Sequence, residues 1–294
     1  MKDITEDIIL PLLPRRPAEA HKGTFGKGLL VCGSVRYRGA AALCAEGALR
    51  TGIGLLTLAA PECVIQSVAS LIPECSYFPI DAAQQHFADK TYPGDALLEI
   101  VRELQGKTAL GIGCGLAEGA YTNALVQAVL QACTVPAVID ATGLVSLRGR
   151  EYLLTELPVM PVLTPHPGEL ASLMRSSTSE ILAEPEKCAA SYAEKTHAVV
   201  VLKLHRTVIA VPGGTVWRNT TGGSGLSRGG SGDFLTGMIT SYLAQGLSPE
   251  QAAVLAVYMH GKAADICAEK LSLTGMLPHE LPLGLQSLYL EYGI

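Results

Sequence analysis

Short apolar runs alternate with helical segments along most of this chain. The runs that predict strands are residues 28–33, 55–59, 108–112, 137–140, 159–163, 199–203, 207–211 and 215–218. The segments that predict helices are residues 40–51, 96–104, 121–132, 178–196, 234–245 and a last helix that begins at Ser248. Apolar runs of this length are typical of buried strands, and their alternation with helices favours a parallel sheet. We therefore expect an α/β/α sandwich, in which a mostly parallel central sheet carries helices on both faces.

Local signals define some boundaries and the domain organisation. Pro212-Gly213-Gly214 separates the last two predicted strands, which is typical of a hairpin turn. Ser248-Pro249-Glu250-Gln251 supplies an N-cap serine, a first-turn proline and a glutamine at the third helical position. The chain contains no internal repeat and no Pro/Ser-rich linker. We expect one domain over residues 1–294, with residues 1–27 as an N-terminal extension.

Composition excludes several classes of protein. Hydrophobic residues make up 48% of the chain and charged residues 17%, so the chain can bury a large core and is not a disordered protein. The net charge of -5 gives no general attraction to nucleic acid or to an anionic membrane. No apolar run approaches the length of a membrane span, and the acidic start lacks the apolar segment of a signal peptide. We expect a cytoplasmic protein. Any phosphate-binding site in it must be formed by backbone amides and a few basic side chains rather than by the overall charge.

Eight cysteines are scattered along the sequence without a C-x-x-C pair or a neighbouring histidine cluster. This spacing argues against a zinc site and against a disulfide framework. We expect the cysteines to be small buried apolar residues in a reducing compartment.

The strongest local signal for chemistry is a glycine-dense segment, residues 221–233, that leads into an apolar helix. Six of its thirteen residues are glycine, and it ends in Gly229-Gly230-Ser231-Gly232-Asp233. The first amides of a helix are unpaired and carry partial positive charge, and glycines let a phosphate approach them closely. Asp233 beside such a site suits a catalytic base. The alternative is that Asp233 only caps its own helix.

Other signatures of phosphate or hydrolase chemistry fail. Residues 23–27 lack the spacing of a P-loop, and Leu116 and Glu118 occupy positions that G-x-G-x-x-G reserves for glycine. The sequence has neither G-x-S-x-G nor H-E-x-x-H.

Two further segments place polar residues where a predicted strand ends, which is where open α/β sheets bind ligands. In the segment 163–170, LTPHPGEL, His166 is a candidate substrate contact and Glu169 a candidate metal or nucleotide contact. The alternatives are an exposed turn histidine and an ordinary first-turn glutamate. Lys203 ends the run VVVLK, with His205 and Arg206 nearby, and basic residues at this position suit contact with phosphate. The alternative, at least as common, is a solvated lysine at a strand end.

With these segments in order, the chain resembles the ADP/ATP-dependent NAD(P)H-hydrate dehydratases of the ribokinase-like superfamily, in the stand-alone form. The segments that carry the resemblance are HKGTFGKGLLVCGS at 21–34, GAA at 39–41, LRTGIGLLTLA at 49–59, LTPHPGEL at 163–170, VVVLK at 199–203 and TGGSGLSRGGSGDFLTGMI at 221–239. Each motif is weak alone, but the combination of HKG, TPHPGE and GGSGD is specific.

The resemblance implies a lyase of cofactor repair with a ribokinase-like fold. Its substrate would be the 6S hydrate of NADH or NADPH. Phosphate from ADP, or from ATP, passes to the ring hydroxyl with Mg²⁺ present, and elimination of the phosphate restores NAD(P)H; with ADP the products are AMP and phosphate. By the same resemblance Asp233 is the base, and the amides of Gly230, Ser231 and Gly232 stabilise the transferred group. A homotetramer is also implied, and no nucleic-acid or membrane partner.

The resemblance also implies two sets of binding positions. Those that contact the hydrate are Ala40, Gly115, His166 and Asp233. Those that bind the adenine nucleotide are Lys203, Leu204, His205, Arg206, Thr207 and Gly232.

Four positions depart from the usual family pattern. They are Leu204 in place of glycine, Cys114 in place of proline, Thr142 in place of a second acid, and Gly223 in place of asparagine. Two other functions stay open from the sequence: a kinase of the same fold that acts on a thiazole or pyrimidine alcohol, and a nucleotide-binding protein without activity.

Overall fold

The computed structural model describes residues 1–80 and 94–294, and within them ten strands form one sheet. The strands are β1 (Lys2–Asp3), β2 (Lys27–Val31), β3 (Leu55–Pro61), β4 (Ser76–Ile80), β5 (Ala109–Ile112), β6 (Ala137–Ile139), β7 (Val162–Leu163), β8 (Val199–Leu202), β9 (Val208–Val211) and β10 (Thr215–Arg218). Their order across the sheet is β1-β10-β9-β8-β7-β6-β5-β2-β3-β4. All pairs from β8 to β4 are parallel, and only β9 pairs antiparallel with its two neighbours.

Helices cover both faces of this sheet. They are α1 (Glu6–Ile9), α2 (Arg38–Arg50), α3 (Glu62–Val68), α4 (Gly94–Glu103), α5 (Ala120–Gln131), α6 (Thr142–Ser146), α7 (Tyr152–Thr155), α8 (Pro167–Met174), α9 (Thr178–Ala183), α10 (Pro185–Thr196), α11 (Ser231–Ala244), α12 (Pro249–Leu271) and α13 (Leu281–Glu291). Alternate residues of the central strands enter two separate cores. One core includes residues of α2, α11, α12 and α13, and the other includes residues of α5, α8 and α10. The predicted α/β/α sandwich with a mostly parallel sheet is confirmed. None of the helices within the described residues is both long and apolar enough to cross a membrane.

The hairpin and the N-terminal segment lie at one edge of the sheet. β9 and β10 pair antiparallel around Pro212-Gly213-Gly214, as predicted. Residues 1–27, which we expected to be an extension, pack onto the fold in part, whereas residues 15–19 are exposed. β1 pairs in parallel with β10, and Ile4 and Ile9 are fully buried. A two-residue strand is too short to give a periodic signal, so its pairing could not be seen in the sequence.

Two predicted elements differ from the structure because of prolines. The helix expected over 178–196 is divided into α9 and α10, since Pro185 has no amide to continue the first helix and instead starts the second. The strand expected over 159–163 is shorter: β7 spans Val162–Leu163 and begins directly after Pro161. β4 was not predicted. It lies at the edge of the sheet, where it pairs only with β3, and an edge is where a strand tolerates a proline such as Pro79.

Helices α2 and α11 approach each other closely at two glycines. A Cβ at Gly237 would overlap the carbonyl oxygen of Cys44, and a Cβ at Gly47 would overlap that of Phe234. Both glycines therefore set the separation of these helices by having no side chain. This contact matters for function because α11 begins at the glycine-dense segment.

We expect Gly237→Ala to lower the free energy of unfolding by about 3 kcal/mol, because the added methyl group has no space between α2 and α11. Denaturant unfolding would measure the change. Gly39→Ala is the matched control, since nothing lies within 4 Å of a Cβ built there, and it should be neutral or slightly stabilising. Equal stability of the two variants would show that the close helix contact does not constrain the fold.

Candidate functional site

The carboxyl ends of five adjacent parallel strands align at one edge of the sheet. The register pairs Val31 with Ile112, Ile112 with Ile139, and Ile139 with Leu163. The residues that follow these strands are therefore neighbours. They include Cys32 after β2, Cys114 after β5, Asp140 after β6, Thr164 after β7 and Lys203 after β8. The chain reverses its direction of winding between β2 and β5, which is where ligands bind in open α/β sheets.

Asp140 is the centre of the polar network at this edge. Its Oδ1 accepts a hydrogen bond from Lys203 Nζ at 2.7 Å, and its Oδ2 accepts one from Thr236 Oγ1 at 2.9 Å. The Cys114 thiol lies 3.5 Å from Oδ2. Burial acts to raise the pKa of Asp140, but the Lys203 charge and the hydrogen bonds outweigh it and hold the pKa below its ordinary value. Asp140 is thus a buried, paired carboxylate that links β6, β8 and α11.

Helix α11 begins beside this network without a side-chain cap, and of its first amides that of Ser231 donates to the carbonyl oxygen of Arg228 at 3.4 Å. Its N-cap is Gly230, whose φ of 104° lies in the left-handed region that glycine tolerates best, and no side chain caps the helix start. Lys203 Nζ would lie 3.3 Å from a Cβ at Gly232. An ammonium group and the positive end of a helix dipole therefore meet at one place, which is the arrangement that binds phosphate.

Asp233 is the third residue of α11 and does not cap it, so the capping alternative is wrong. Burial of the carboxyl, together with the neighbouring Cys114 and Asp140, raises the pKa of Asp233 to about 9, although the Lys203 charge acts in the opposite direction. A carboxylate in this environment is a much stronger base than one in water, because the apolar surroundings disfavour its charge. The environment suits proton abstraction from an alcohol.

Two cavities of about 1040 Å³ each meet at Asp233. Asp233 lines both, together with His166, Glu169 and Gly230. Ala40 and Gly115 line the first cavity, so all four positions that the resemblance gives to the hydrate are on it. Of the six positions given to the nucleotide, those on the second cavity are Lys203, Leu204, His205, Thr207 and Gly232.

Arg206 is the predicted nucleotide contact that is not among the described residues lining either cavity. Its guanidinium donates a hydrogen bond to the carbonyl oxygen of Thr220, which turns it toward the chain that precedes the glycine-dense segment. The motif places Arg206 in the loop after β8, but the sequence could not show which way its side chain points.

His166 and Glu169 form a capping box at the start of α8. His166 Nδ1 accepts from the amides of Gly168 and Glu169, at 3.1 and 3.3 Å, and Glu169 Oε2 accepts from the His166 amide at 2.8 Å. Because Nδ1 is an acceptor, neutral His166 carries its proton on Nε2. Burial raises the pKa of Glu169. Both residues cap the helix and also line the two cavities, so the structural role does not exclude the functional one.

Several cavity residues were not identified from the sequence. His260, in α12, lines the second cavity; its Nε2 is buried without a hydrogen-bond partner, and burial lowers its pKa to about 4. Arg36, Arg38 and Arg148 line the first cavity. Arg36 and Arg38 lie between two segments that carry the resemblance but belong to neither, and no motif surrounds Arg148 or His260. Since α12 follows the glycine-dense segment by a full helix, only the tertiary fold brings His260 to the site.

The departures from the family pattern have local structural settings. Thr142 Oγ1 donates to the carbonyl oxygen of Leu116 at 2.7 Å, which ties α6 to the loop after β5. Cys114 directly precedes Gly115, which has a φ of 66° and where a Cβ would lie 2.6 Å from the Ala40 Cβ. Leu204 lines the second cavity and its amide contacts Thr207 Oγ1 at 3.5 Å. Gly223 also lines that cavity.

The cysteines are mostly buried, as expected, and all eight are free. The sulfur atoms of Cys32, Cys44 and Cys114 lie within 4.8 Å of one another. The sequence spacing, which argued against a zinc site, could not show this cluster, because the aligned ends of β2 and β5 and the adjacent helix α2 bring the three residues together.

Comparison with known proteins identifies the family. A family model described as NAD(P)H-hydrate dehydratase matches residues 28–286. The ADP-dependent (S)-NAD(P)H-hydrate dehydratase of Bacillus subtilis is 37% identical over 277 residues, which cover 94% of each chain. A bifunctional NAD(P)H-hydrate repair enzyme from Moorella thermoacetica is 39% identical over 269 residues, which cover 92% of this chain. The chain spans about half the length of such bifunctional relatives, 50% of this one.

Solved structures agree with the sequence comparison. A crystal structure of the Bacillus subtilis ADP/ATP-dependent NAD(P)H-hydrate dehydratase, co-crystallised with ATP/Mg²⁺, matches with a TM-score of 0.85 and 34% identity, covering 99% of this chain and 98% of that one. A ribokinase-like superfamily protein from Enterococcus faecalis matches with a TM-score of 0.84 at 24% identity, covering 99% and 96% of the two chains, which supports the fold alone. With a family model matched over most of its length and a full-length relative above 30% identity, the chain belongs to the NAD(P)H-hydrate dehydratase family.

Proposed function

We propose that this protein dehydrates the 6S hydrate of NADH or NADPH and uses ADP, or ATP, as the phosphate donor. The observation that carries the proposal is the position of Asp233, which lines two large cavities at once. One cavity takes the hydrated nicotinamide ring and the other takes the adenine nucleotide. The hydroxyl and the terminal phosphate then meet at the start of α11.

Asp233 removes the proton of the ring hydroxyl in the first step. The hydroxyl oxygen forms a bond to the terminal phosphorus of the nucleotide, and the bond from that phosphorus to the bridging oxygen breaks, so ADP leaves as AMP. The bond between the ring carbon and the ester oxygen then breaks and releases inorganic phosphate, the neighbouring ring carbon loses a proton to solvent, and the double bond that forms between these two carbons restores NAD(P)H. Burial around Asp233 makes its carboxylate a strong base, but it also means that the carboxylate must be deprotonated before the step begins.

The amides of Gly230, Ser231 and Gly232 would stabilise the charge that develops on the transferred phosphate. They belong to a helix start without a side-chain cap, so a bound phosphate supplies the acceptors that the helix lacks. Lys203 lies beside the same amides and adds a full positive charge. Asp140 holds the Lys203 ammonium in place through the 2.7 Å contact.

Mg²⁺ would neutralise the nucleotide phosphates when bound. The carboxylate best suited to face it is Glu169, since Asp140 already accepts from Lys203 and Thr236, whereas Glu169 lines both cavities with 13% of its side chain exposed. Mg²⁺ prefers one or two carboxylates together with phosphates and water, and this setting fits that preference.

The remaining assignments are also proposals. One domain over residues 1–294 would carry the whole activity. The protein would act in the cytoplasm, as a homotetramer, without a nucleic-acid or membrane partner.

A coupled assay tests the proposed function directly. Purified protein is incubated with NADH hydrate and either ADP or ATP, with and without Mg²⁺, and the absorbance of NADH is followed. Recovery of NADH that depends on nucleotide supports the dehydratase. Phosphorylation of only a thiazole or pyrimidine alcohol would instead identify a kinase of the same fold.

Asp233→Asn should lower kcat by about 10²- to 10⁴-fold, because the amide cannot accept the hydroxyl proton. The affinity for ADP, measured by calorimetry, should stay within a few-fold of the wild type, since the helix amides and Lys203 are retained. Near-normal turnover in this variant would show that another group is the base.

The same Asp233→Asn variant should be more stable than the wild type at neutral and alkaline pH. The pKa of Asp233 rises from 3.8 to about 9 on folding, so the folded protein holds the proton more tightly than the unfolded chain. Stability of the wild type is therefore lost as pH rises between these two values, by up to about 1.4 kcal/mol per pH unit. Denaturant unfolding of both proteins from pH 5 to pH 8 measures this. A stability difference that does not grow with pH would contradict the buried, protonated state of Asp233.

Lys203→Ala should raise the KM for ADP by at least about tenfold and change the KM for the hydrate much less, because a charged hydrogen bond to phosphate is lost. The single variant also leaves Asp140 unpaired. The double variant Asp140→Asn/Lys203→Met removes both charges and serves as the matched control; it should fold well but keep the raised KM for ADP. An unchanged nucleotide KM in both variants would remove Lys203 from the phosphate site.

A further inference from the structure

Three buried thiols lie directly beside the proposed active site. Cys32 follows β2, Cys44 lies within α2, and Cys114 follows β5. None of the three side chains has any solvent exposure. The sulfur atoms of Cys32 and Cys44 are 3.9 Å apart, and all three sulfur atoms are within 4.8 Å of one another. Cys114 is also within 4.8 Å of the carboxylate oxygens of Asp140 and Asp233.

We propose that Cys32, Cys44 and Cys114 form a binding site for a thiophilic divalent d10 ion such as Zn²⁺ or Cd²⁺, and that its occupancy inhibits the enzyme. The binding part stands on the geometry of the three sulfurs. The inhibitory part rests on the proposed function, because it concerns the base Asp233.

The spacing of the sulfurs matches the coordination that such an ion requires. With a metal–sulfur bond of about 2.3 Å, two thiolates on one ion lie about 3.8 Å apart in tetrahedral geometry and about 4.0 Å apart in trigonal geometry. The Cys32–Cys44 separation of 3.9 Å falls between these values. Cys114 needs to move by at most about 1 Å relative to the other two sulfurs to complete the set.

The ligand chemistry selects this class of ion over the magnesium that serves the nucleotide. Thiolates are soft ligands that favour zinc and related ions, whereas Mg²⁺ takes oxygen ligands. On binding, each of the three thiols loses its proton to solvent, and one divalent ion with three thiolates carries a net charge of -1. The binding is therefore favoured as pH rises.

Occupancy would disturb Asp233 through Cys114, because Cys114 lies close both to the other two thiols and to the carboxylates of Asp140 and Asp233. The Cys114 thiol that now lies 3.5 Å from Asp140 Oδ2 would become a thiolate bound to metal. A new negative charge would then lie beside both Asp140 and Asp233. The first cavity is the nearest open space, because it is lined by Gly115, which follows Cys114 in the chain, and by Asp233, whose carboxylate lies within 4.8 Å of the Cys114 sulfur.

The test is a titration of the reduced, metal-free, full-length protein with Cd²⁺, followed by the ultraviolet charge-transfer absorption of cadmium–thiolate bonds. We expect one equivalent to bind tightly, with three sulfurs around the ion in X-ray absorption spectra. Cys44→Ala should weaken this binding by more than about 100-fold, since loss of a ligand costs more than the 10- to 100-fold loss for groups outside the first coordination shell. Cys75→Ala, which removes a buried thiol outside the cluster, is the matched control and should bind as the wild type does.

If Cys44→Ala does not fold, the X-ray absorption spectrum of the cadmium-bound wild-type protein tests the site by itself. Fewer than three sulfurs around the bound cadmium, or equal affinity in Cys44→Ala and the wild type, would overturn the site. The inhibitory part is tested by the ratio of activity with and without one equivalent of Cd²⁺, which should fall well below one in the wild type and return toward one in Cys44→Ala. Tight three-sulfur binding without inhibition would overturn only that part, and absence of any dehydratase activity would contradict the proposed function while leaving the binding result intact.

Discussion

The buried ion pair between Asp140 and Lys203 holds the site together. Asp140 directly follows β6 and Lys203 directly follows β8. Thr236 of α11 donates to the second oxygen of the Asp140 carboxylate. A buried carboxylate without partners would cost several kcal/mol, so these contacts must form together. They fix the start of α11 over the edge of the sheet, and the close contact at Gly237 sets its distance from α2. The anion site at Gly230 and the position of Asp233 both follow from this arrangement.

Two neighbouring carboxylates are driven to opposite states by their environments. Asp140 has a lysine within hydrogen-bond distance and stays ionised, while burial raises the pKa of Asp233 well above that of a free carboxyl. Pairs of titratable groups whose pKa values are pushed apart are typical of active sites. The charged one positions the lysine for phosphate, and the protonatable one is available to exchange a proton with the substrate.

The sequence predicted the features that depend on local pattern. Alternating apolar runs and helices were sufficient for the sandwich, and the density of glycine before α11 was sufficient to locate a helix start at Gly230 that no side chain caps. What could not be predicted depends on tertiary contact. β1 has no periodicity of its own, and His260 reaches the second cavity from a helix with no motif. Arg206 shows the same limit, since a motif gives the position of a residue but not the direction of its side chain. The division of the helix expected over 178–196 is different in kind, because Pro185 is a local signal that cannot continue a helix.

The cysteines illustrate what sequence spacing cannot show. Zinc motifs are recognised by short intervals, yet Cys32, Cys44 and Cys114 are brought together by parallel strands and one helix from distant parts of the chain. Parallel sheets place residues far apart in sequence at one edge, so clusters of this kind are invisible until the order of strands is known.

The central claim is that the terminal phosphate of the nucleotide lies on the amides at the start of α11, within reach of Asp233. A crystal structure of this protein with ADP, Mg²⁺ and an unreactive analogue of the hydrate would measure it most directly. The account predicts the terminal phosphate in hydrogen-bond contact with the amides of residues 230–232 and with Lys203, and the ring hydroxyl between that phosphate and Asp233. Phosphates bound elsewhere, with the start of α11 empty, would contradict it.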